Sequence, residues 1–229
     1  MTVAKRFEVE VKTLLGSREN VDRFIARLGE HDPGLKRTVQ ASQLNHYFDD
    51  AGDAAQLVDA VRGLLNDDDL ASLREIVTAA PTFSLRTRQQ DDAVLLVVKA
   101  AKGSEDDQHA IARREGEYRT TATGIDALDS AIRKAGFDFL SKWSRDRTEY
   151  RYKDYTVCID RNAGYGYLAE IEKVVDSEGG AAKARTGILE ELAALGFEEL
   201  SQERLGRMFA FYNEHWPEYY RTEKTFTVT

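Results

Sequence analysis

Residues 7–12 read Phe7-Glu8-Val9-Glu10-Val11-Lys12, a strict alternation of apolar and charged side chains. Successive side chains of a strand point to opposite faces, so the stretch predicts a strand with two unlike faces. Phe7, Val9 and Val11 share one face, and Glu8, Glu10 and Lys12 share the other. A single strand of this kind says only that one side of a sheet is wetted. It becomes informative because the same division recurs in strand after strand.

Beyond this strand, Gly16-Ser17 breaks the pattern and Ser17 is placed to cap a helix over about residues 18–30, with Val21, Phe24, Ile25 and Leu28 at helical spacing. Asp32-Pro33-Gly34 stops it, and Leu35 to Asp50 reads as one strand or two short ones. His46 has no partner at a metal-ligand spacing and reads as a polar strand residue. Between residues 51 and 80, Leu57, Val58, Val61, Leu64 and Leu65 fit one helix, and Leu70, Leu73, Ile76 and Val77 fit a second. Asp67-Asp68-Asp69 suits the start of that second helix, where the dipole favours acidic groups. It does not suit a metal, because consecutive helix positions diverge. Pro81 closes this helical insertion.

Strands then resume. Residues 82–88 put Ser84, Arg86 and Arg88 on one face; Gln89 to Asp92 reads as a turn, and Ala93–Lys99 as the returning strand of a hairpin. A polar loop over 102–109 leads to 110–120, with Arg113, Glu115, Glu117 and Arg119 together. Thr123 begins a helix that turns Ile125, Leu128, Ile132 and Ala135 inward and ends at Gly136. Three further strands place Arg145, Arg147 and Glu149 together, then Thr156, Cys158 and Asp160, then Glu170 and Glu172. Helices over about 180–195 and 202–215 follow, and with no repeat or linker the chain reads as one domain.

Composition narrows the function classes. A chain of 229 residues, 42% hydrophobic and 31% charged, is expected to fold around a sizeable core. Its net charge of −8 argues against a broad nucleic-acid surface. The single Cys158 excludes an internal disulfide framework and a four-cysteine zinc site. No apolar run approaches the ~20 residues of a membrane span, and no signal-peptide core opens the chain. The expected setting is therefore the cytoplasm, without a membrane partner.

The collected charged faces carry Glu8, Glu10, Glu115, Glu117, Asp160, Glu170 and Glu172 against Lys12, Arg86, Arg88, Lys99, Arg113, Arg145 and Arg147. Either these faces meet water and the apolar faces meet helices or each other, or helices cover the apolar faces outside and the charges line the inside of a closed sheet. The expected fold class is α+β, mainly antiparallel β: a closed or nearly closed barrel with Phe7, Val9, Val11, Leu85, Val157 and Ile171 outside, beneath helices. Packed opposite charges are costly without a ligand. A water-filled tunnel that admits a highly charged ligand relieves that cost. Converging arginines and lysines suit phosphate oxygens, and glutamates two apart on a strand suit a hard cation such as Mg²⁺ or Mn²⁺.

The ordered set Glu8-x-Glu10-x-Lys12, Tyr47-Phe48-Asp49, Leu85-Arg86-Thr87-Arg88, Lys99, Arg113-x-Glu115-x-Glu117, Arg145-x-Arg147-x-x-Tyr150, Ile159-Asp160 and Glu170-Ile171-Glu172 resembles the CYTH, or triphosphate tunnel metalloenzyme, superfamily. The resemblance covers about residues 5–175 and implies an eight-stranded antiparallel tunnel. It implies Mg²⁺ or Mn²⁺ on Glu8, Glu10, Glu170 and Glu172, with Glu115, Glu117 and Asp160 in the same set. It implies a small-molecule triphosphate on Lys12, Arg86, Arg88, Lys99, Arg113, Arg145 and Arg147, with Lys12, Tyr47, Glu117 and Asp160 as catalytic groups. The implied activity is hydrolysis of an inorganic, thiamine or nucleoside triphosphate. The alternatives are adenylate cyclisation of ATP and a binding module without turnover. A homodimer is compatible with all three. The insertion at 51–80 and the tail beyond 200 depart from the compact pattern, so the organic part of the substrate does not carry over.

Overall fold

The computed structural model describes residues 7–80, 82–101 and 113–228, with the side chains within them except those of Phe7, Ala101, Arg113, Arg114, Glu115 and Glu178. The alternating stretches form strands β1 (Phe7–Gly16), β2 (Lys36–Phe48), β3 (Phe83–Gln90), β4 (Ala93–Ala101), β5 (Arg113–Arg119), β6 (Phe139–Tyr152), β7 (Tyr155–Asn162) and β8 (Gly166–Val175). The helices are α1 (Arg18–His31), α2 (Ala54–Val61), α3 (Asp67–Ala79), α4 (Ile125–Lys134), α5 (Glu178–Ala194) and α6 (Gln202–Tyr219). No helix among the described residues is long and apolar enough to cross a membrane.

The strands form one sheet in the order β1-β8-β7-β6-β2-β3-β4-β5, giving the expected α+β class. Among the described residues the sheet is not closed by hydrogen bonds; β1 and β5 are its two ends. At β1 there is a local reason. The backbone N–H of Leu200 donates to Lys12 O at 2.7 Å, so the segment between α5 and α6 occupies an edge carbonyl.

Capping chemistry sets the helix starts. Ser17 Oγ accepts from Asn20 N at 3.2 Å and Asn66 Oδ1 from Asp69 N at 2.9 Å, so α3 does begin on its aspartate triplet. Boundaries shift where turn chemistry outweighs periodicity. β2 is a single strand, α2 ends at Val61 with Leu64 and Leu65 beyond it, and the turn after β3 shrinks to Asp91-Asp92. Asp91 adopts φ 51°, the left-handed conformation that a two-residue hairpin demands. Pro81 and the polar loop at 102–109 lie outside the described residues.

Contacts gather the chain into two compact units that share β2 and β6. The first holds β1, β7, β8, α1, α5 and α6, with residues 36–41 and 145–152. Val9, Val11, Val157 and Ile171 are buried there on the apolar face, and α5 packs on β1 and β8. The second holds β3, β4, β5, α2, α3 and α4, with residues 42–48 and 139–144. Its core joins Leu85, Leu96 and Val98 to Leu57, Leu73 and Leu128.

One acidic group sits inside this second core. Asp129 of α4 is 3% exposed; it accepts from Thr87 Oγ1 at 2.7 Å and lies 2.7 Å from His46 Nδ1. His46 and Thr87 are cross-strand partners, so Asp129 fastens α4 to the β2–β3 register. Removing it takes a partner from each of two buried polar groups, at about 1–3 kcal/mol for each. Asp129→Ala is expected to lower unfolding free energy by about 2–4 kcal/mol in a urea titration. An unchanged midpoint would show that the contact is not structural.

Candidate functional site

In the first unit the two-residue period places a row of charges on one sheet face. The register sets Lys12 opposite Glu170 and Glu10 opposite Glu172, then Cys158 beside Glu170 and Arg147 opposite Asp160. The side chains join into a continuous network. Lys12 Nζ lies 2.6 Å from Glu10 Oε1 and 3.3 Å from Glu170 Oε1. Arg147 Nη2 donates to Glu170 Oε2 at 2.8 Å and grips Asp160 with Nε and Nη2 at 2.8 and 2.7 Å. Arg145 Nη1 adds a third bond to Asp160 at 2.8 Å. Asp160, expected at a metal, is 1% exposed and directed at the two arginines, whose guanidinium planes it orients.

Glu10, Glu170 and Asp160 balance Lys12, Arg147 and Arg145, so the network is neutral in itself. Burial works against the Glu170 carboxylate, but Lys12, Arg147 and Arg145 overcome it and hold the group down at about 2. Burial likewise opposes the charge on Arg147 and on Lys12; their carboxylate partners outweigh it and raise both above their ordinary values. Glu172 differs. Burial pushes its carboxyl up, and Glu8, which shares a hydrogen bond with it, and Glu170 add to the rise, to about 8. Burial also pushes up the Cys158 thiol, which keeps it from acting as a thiolate.

A carboxyl pushed up by burial and by a neighbouring carboxylate is a donor suited to a hard cation, which would take its proton's place. No group of three acidic, histidine or cysteine side chains among the described residues could hold a metal as it stands. Glu170 is committed to Lys12 and Arg147, while Glu8 and Glu172 crowd each other.

In the second unit, Arg86 and Arg88 share a face of β3. Arg88 donates from Nε to Asn45 Oδ1 at 3.0 Å and from Nη1 to Glu117 Oε1 at 2.9 Å. Arg86 Nη1 donates to Tyr47 Oη at 2.9 Å, and its guanidinium lies 5.6 Å from the Tyr47 ring centre. Lys99 occupies the same face, in register with Ser84 and with Glu115. Arg113 pairs with Ala101 in the β4–β5 register; the side chains of Arg113 and Glu115 lie outside the described ones. Sequence reasoning passed over Asn45 as a guide for Arg88. The signal was present, because Asn45 and Tyr47 alternate as the arginines opposite them do.

The CYTH domain matches residues 76–206, more than half of the chain. In structure the chain is similar to a protein from Pyrococcus horikoshii at 19% identity and TM-score 0.57, covering 85% of this chain and 93% of that one. It is also similar to a conserved hypothetical protein from Pyrococcus furiosus at 17% identity and TM-score 0.56, covering 86% and 93%. A candidate adenylate cyclase from Vibrio parahaemolyticus follows at 16% identity and TM-score 0.55, covering 89% and 98%. At these identities the likeness concerns the fold. No curated protein matches the sequence.

The raised Glu172 makes stability depend on pH. Between about 4.5 and 8 the folded chain holds a proton there that the unfolded chain releases, so stability falls as pH rises through that window. Glu172→Gln removes the titration. Discounted for solvent screening and coupling, the variant should be about 1–2 kcal/mol more stable than the parent at pH 9 without divalent ions, and equal to it near pH 5. Equal stability at pH 9 would show that the carboxyl is not held up.

Proposed function

We propose that this chain, which belongs to the CYTH domain family, is an enzyme that hydrolyses a triphosphate (inorganic, thiamine or nucleoside) with Mg²⁺ or Mn²⁺. The observation that carries this reading is the neutral network Glu10–Lys12–Glu170–Arg147–Asp160–Arg145 on one sheet face, with the Glu8–Glu172 pair beside it. A polyphosphate competes for its cations and a divalent ion for its carboxylates, so the two ligands together replace partners that each alone would strip away.

On this reading Lys12, Arg145 and Arg147 bind phosphate oxygens, and Asp160 acts through the arginines it orients. Arg86, Arg88, Lys99 and Arg113 are the phosphate-binding candidates of the second unit, Tyr47, Asn45 and Glu117 keeping the first two aligned. Glu8, Glu10 and Glu172 would hold the divalent ion, which supplies positive charge to the phosphate oxygens. Water attacks the terminal phosphorus, and the bond to the departing diphosphate breaks. Because phosphoryl transfer asks mainly for positioning and charge stabilisation, a set of fixed cations accounts for most of the acceleration. The fold is equally compatible with cyclisation, but hydrolysis needs no group beyond water as nucleophile.

Phosphorus NMR should show inorganic triphosphate converted to orthophosphate and diphosphate only when Mg²⁺ or Mn²⁺ is added. A cyclase would leave that substrate untouched and turn ATP into a cyclic nucleotide and pyrophosphate; binding with neither product would leave a non-catalytic module. Arg88→Lys keeps the charge but cannot hold Asn45 and Glu117 with one fork, so kcat/KM should fall about tenfold or more. Arg207→Lys, on the surface of α6, is the control. Equal effects would remove Arg88 from the site.

A further inference from the structure

The first unit carries a cavity of about 350 Å³ on the other face of the strands that bear the ion network. Asp146, Thr148 and Tyr150 line it, alternating along β6 with Arg145, Arg147 and Glu149; Ile159 and Arg161 line it from either side of Asp160. Three arginines reach the cavity from three elements: Arg18 from the start of α1, Arg37 from β2 and Arg161 from β7. Arg18 pairs with Asp22 at 3.0 Å, and Arg161 pairs with Glu223 and lies 3.9 Å from Asp146. Arg37 has no ion pair among the described residues. Asp146 is the one acid in the lining, so the cavity is locally basic in a chain of net charge −8.

We propose that this cavity is a second ligand site, for a small phosphorylated molecule that carries a flat ring, such as a nucleoside monophosphate. Guanidinium groups on separate elements match the oxygens of a phosphate dianion, and Arg37 is the group with charge to spare. The lining also holds Val21, Ile25, Ile159 and the rings of Tyr150 and Tyr167, which offer a planar group apolar and aromatic contact. A cavity of this volume sits at the lower end of the range of small-molecule sites, about 300–1,000 Å³. Inorganic phosphate would leave the aromatic lining wet, and an uncharged ring would leave Arg37 without a counter-ion.

The test is calorimetric titration of the whole chain with AMP, inorganic phosphate and adenosine in turn, without divalent ions. AMP should bind, and the other two should bind about tenfold more weakly or worse. Arg37→Glu should weaken AMP by about tenfold or more while triphosphate turnover stays at the parent's level. Arg37→Met, which removes charge without reversing it, should move affinity in the same direction by less. Lys12→Gln, in the ion network, should bind AMP as the parent does. No AMP binding, full affinity in Arg37→Glu, loss of binding in Lys12→Gln, or phosphate binding as tightly as AMP would each overturn the assignment.

Discussion

The register between β1 and β8 is the constraint from which the site follows. A strand alternates with period two, so a slip of one residue would turn Glu8, Glu10 and Lys12 into the core beneath α5 and bring Val9 and Val11 out. Unpaired charge in such a core is too costly to tolerate, so the apolar face fixes the register and the register fixes the ion pairs. Glu170 is the joint of the arrangement. It faces Lys12 across the β1–β8 ladder and reaches Arg147 of β6 past Cys158, so one carboxylate links three strands. Its removal would take from Lys12 and Arg147 the carboxylate they share, which is more costly than the loss of one surface pair.

The faces of the strands were legible because alternation needs no tertiary information. Val9, Val11, Leu85, Val157 and Ile171 are buried, and Glu170 and Glu172 share a face with Glu10 and Lys12. The helix starts were legible from Ser17 and the Asp67–Asp69 triplet, since capping is local chemistry. Asp129 was not. At helical spacing it falls beside Leu128 on the inward side, but an aspartate there reads as solvent-facing until His46 and Thr87, more than forty residues away, are seen to meet it. Nor could the sequence show that the Asp160 carboxylate turns to Arg145 and Arg147. Alternation reports a face, while the partner on that face depends on the rotamers of long side chains.

The electrostatics divide the first-unit carboxylates by task. Glu170 is held ionised by three cations and Asp160 is hydrogen-bonded by two arginines, whereas Glu172 beside Glu8 is pushed toward its protonated form. Carboxylates paired with guanidinium groups orient those groups, and carboxylates short of a counter-ion suit a cation. On the proposed function, ligand and metal would enter as a nearly balanced set: Glu172 would give up its proton as it took a cation, and phosphate oxygens would take over the cations that the network spends on itself. Neither half would bind well without the other.

That mutual dependence is open to one direct measurement. Inorganic triphosphate is titrated into the protein by calorimetry at pH 7.5, with and without saturating Mg²⁺, at early times before turnover. The account predicts that Mg²⁺ tightens triphosphate binding by more than its binding to free triphosphate explains, and that Glu172→Gln abolishes most of this gain. Equal affinity with and without Mg²⁺, or a gain that survives in Glu172→Gln, would contradict it.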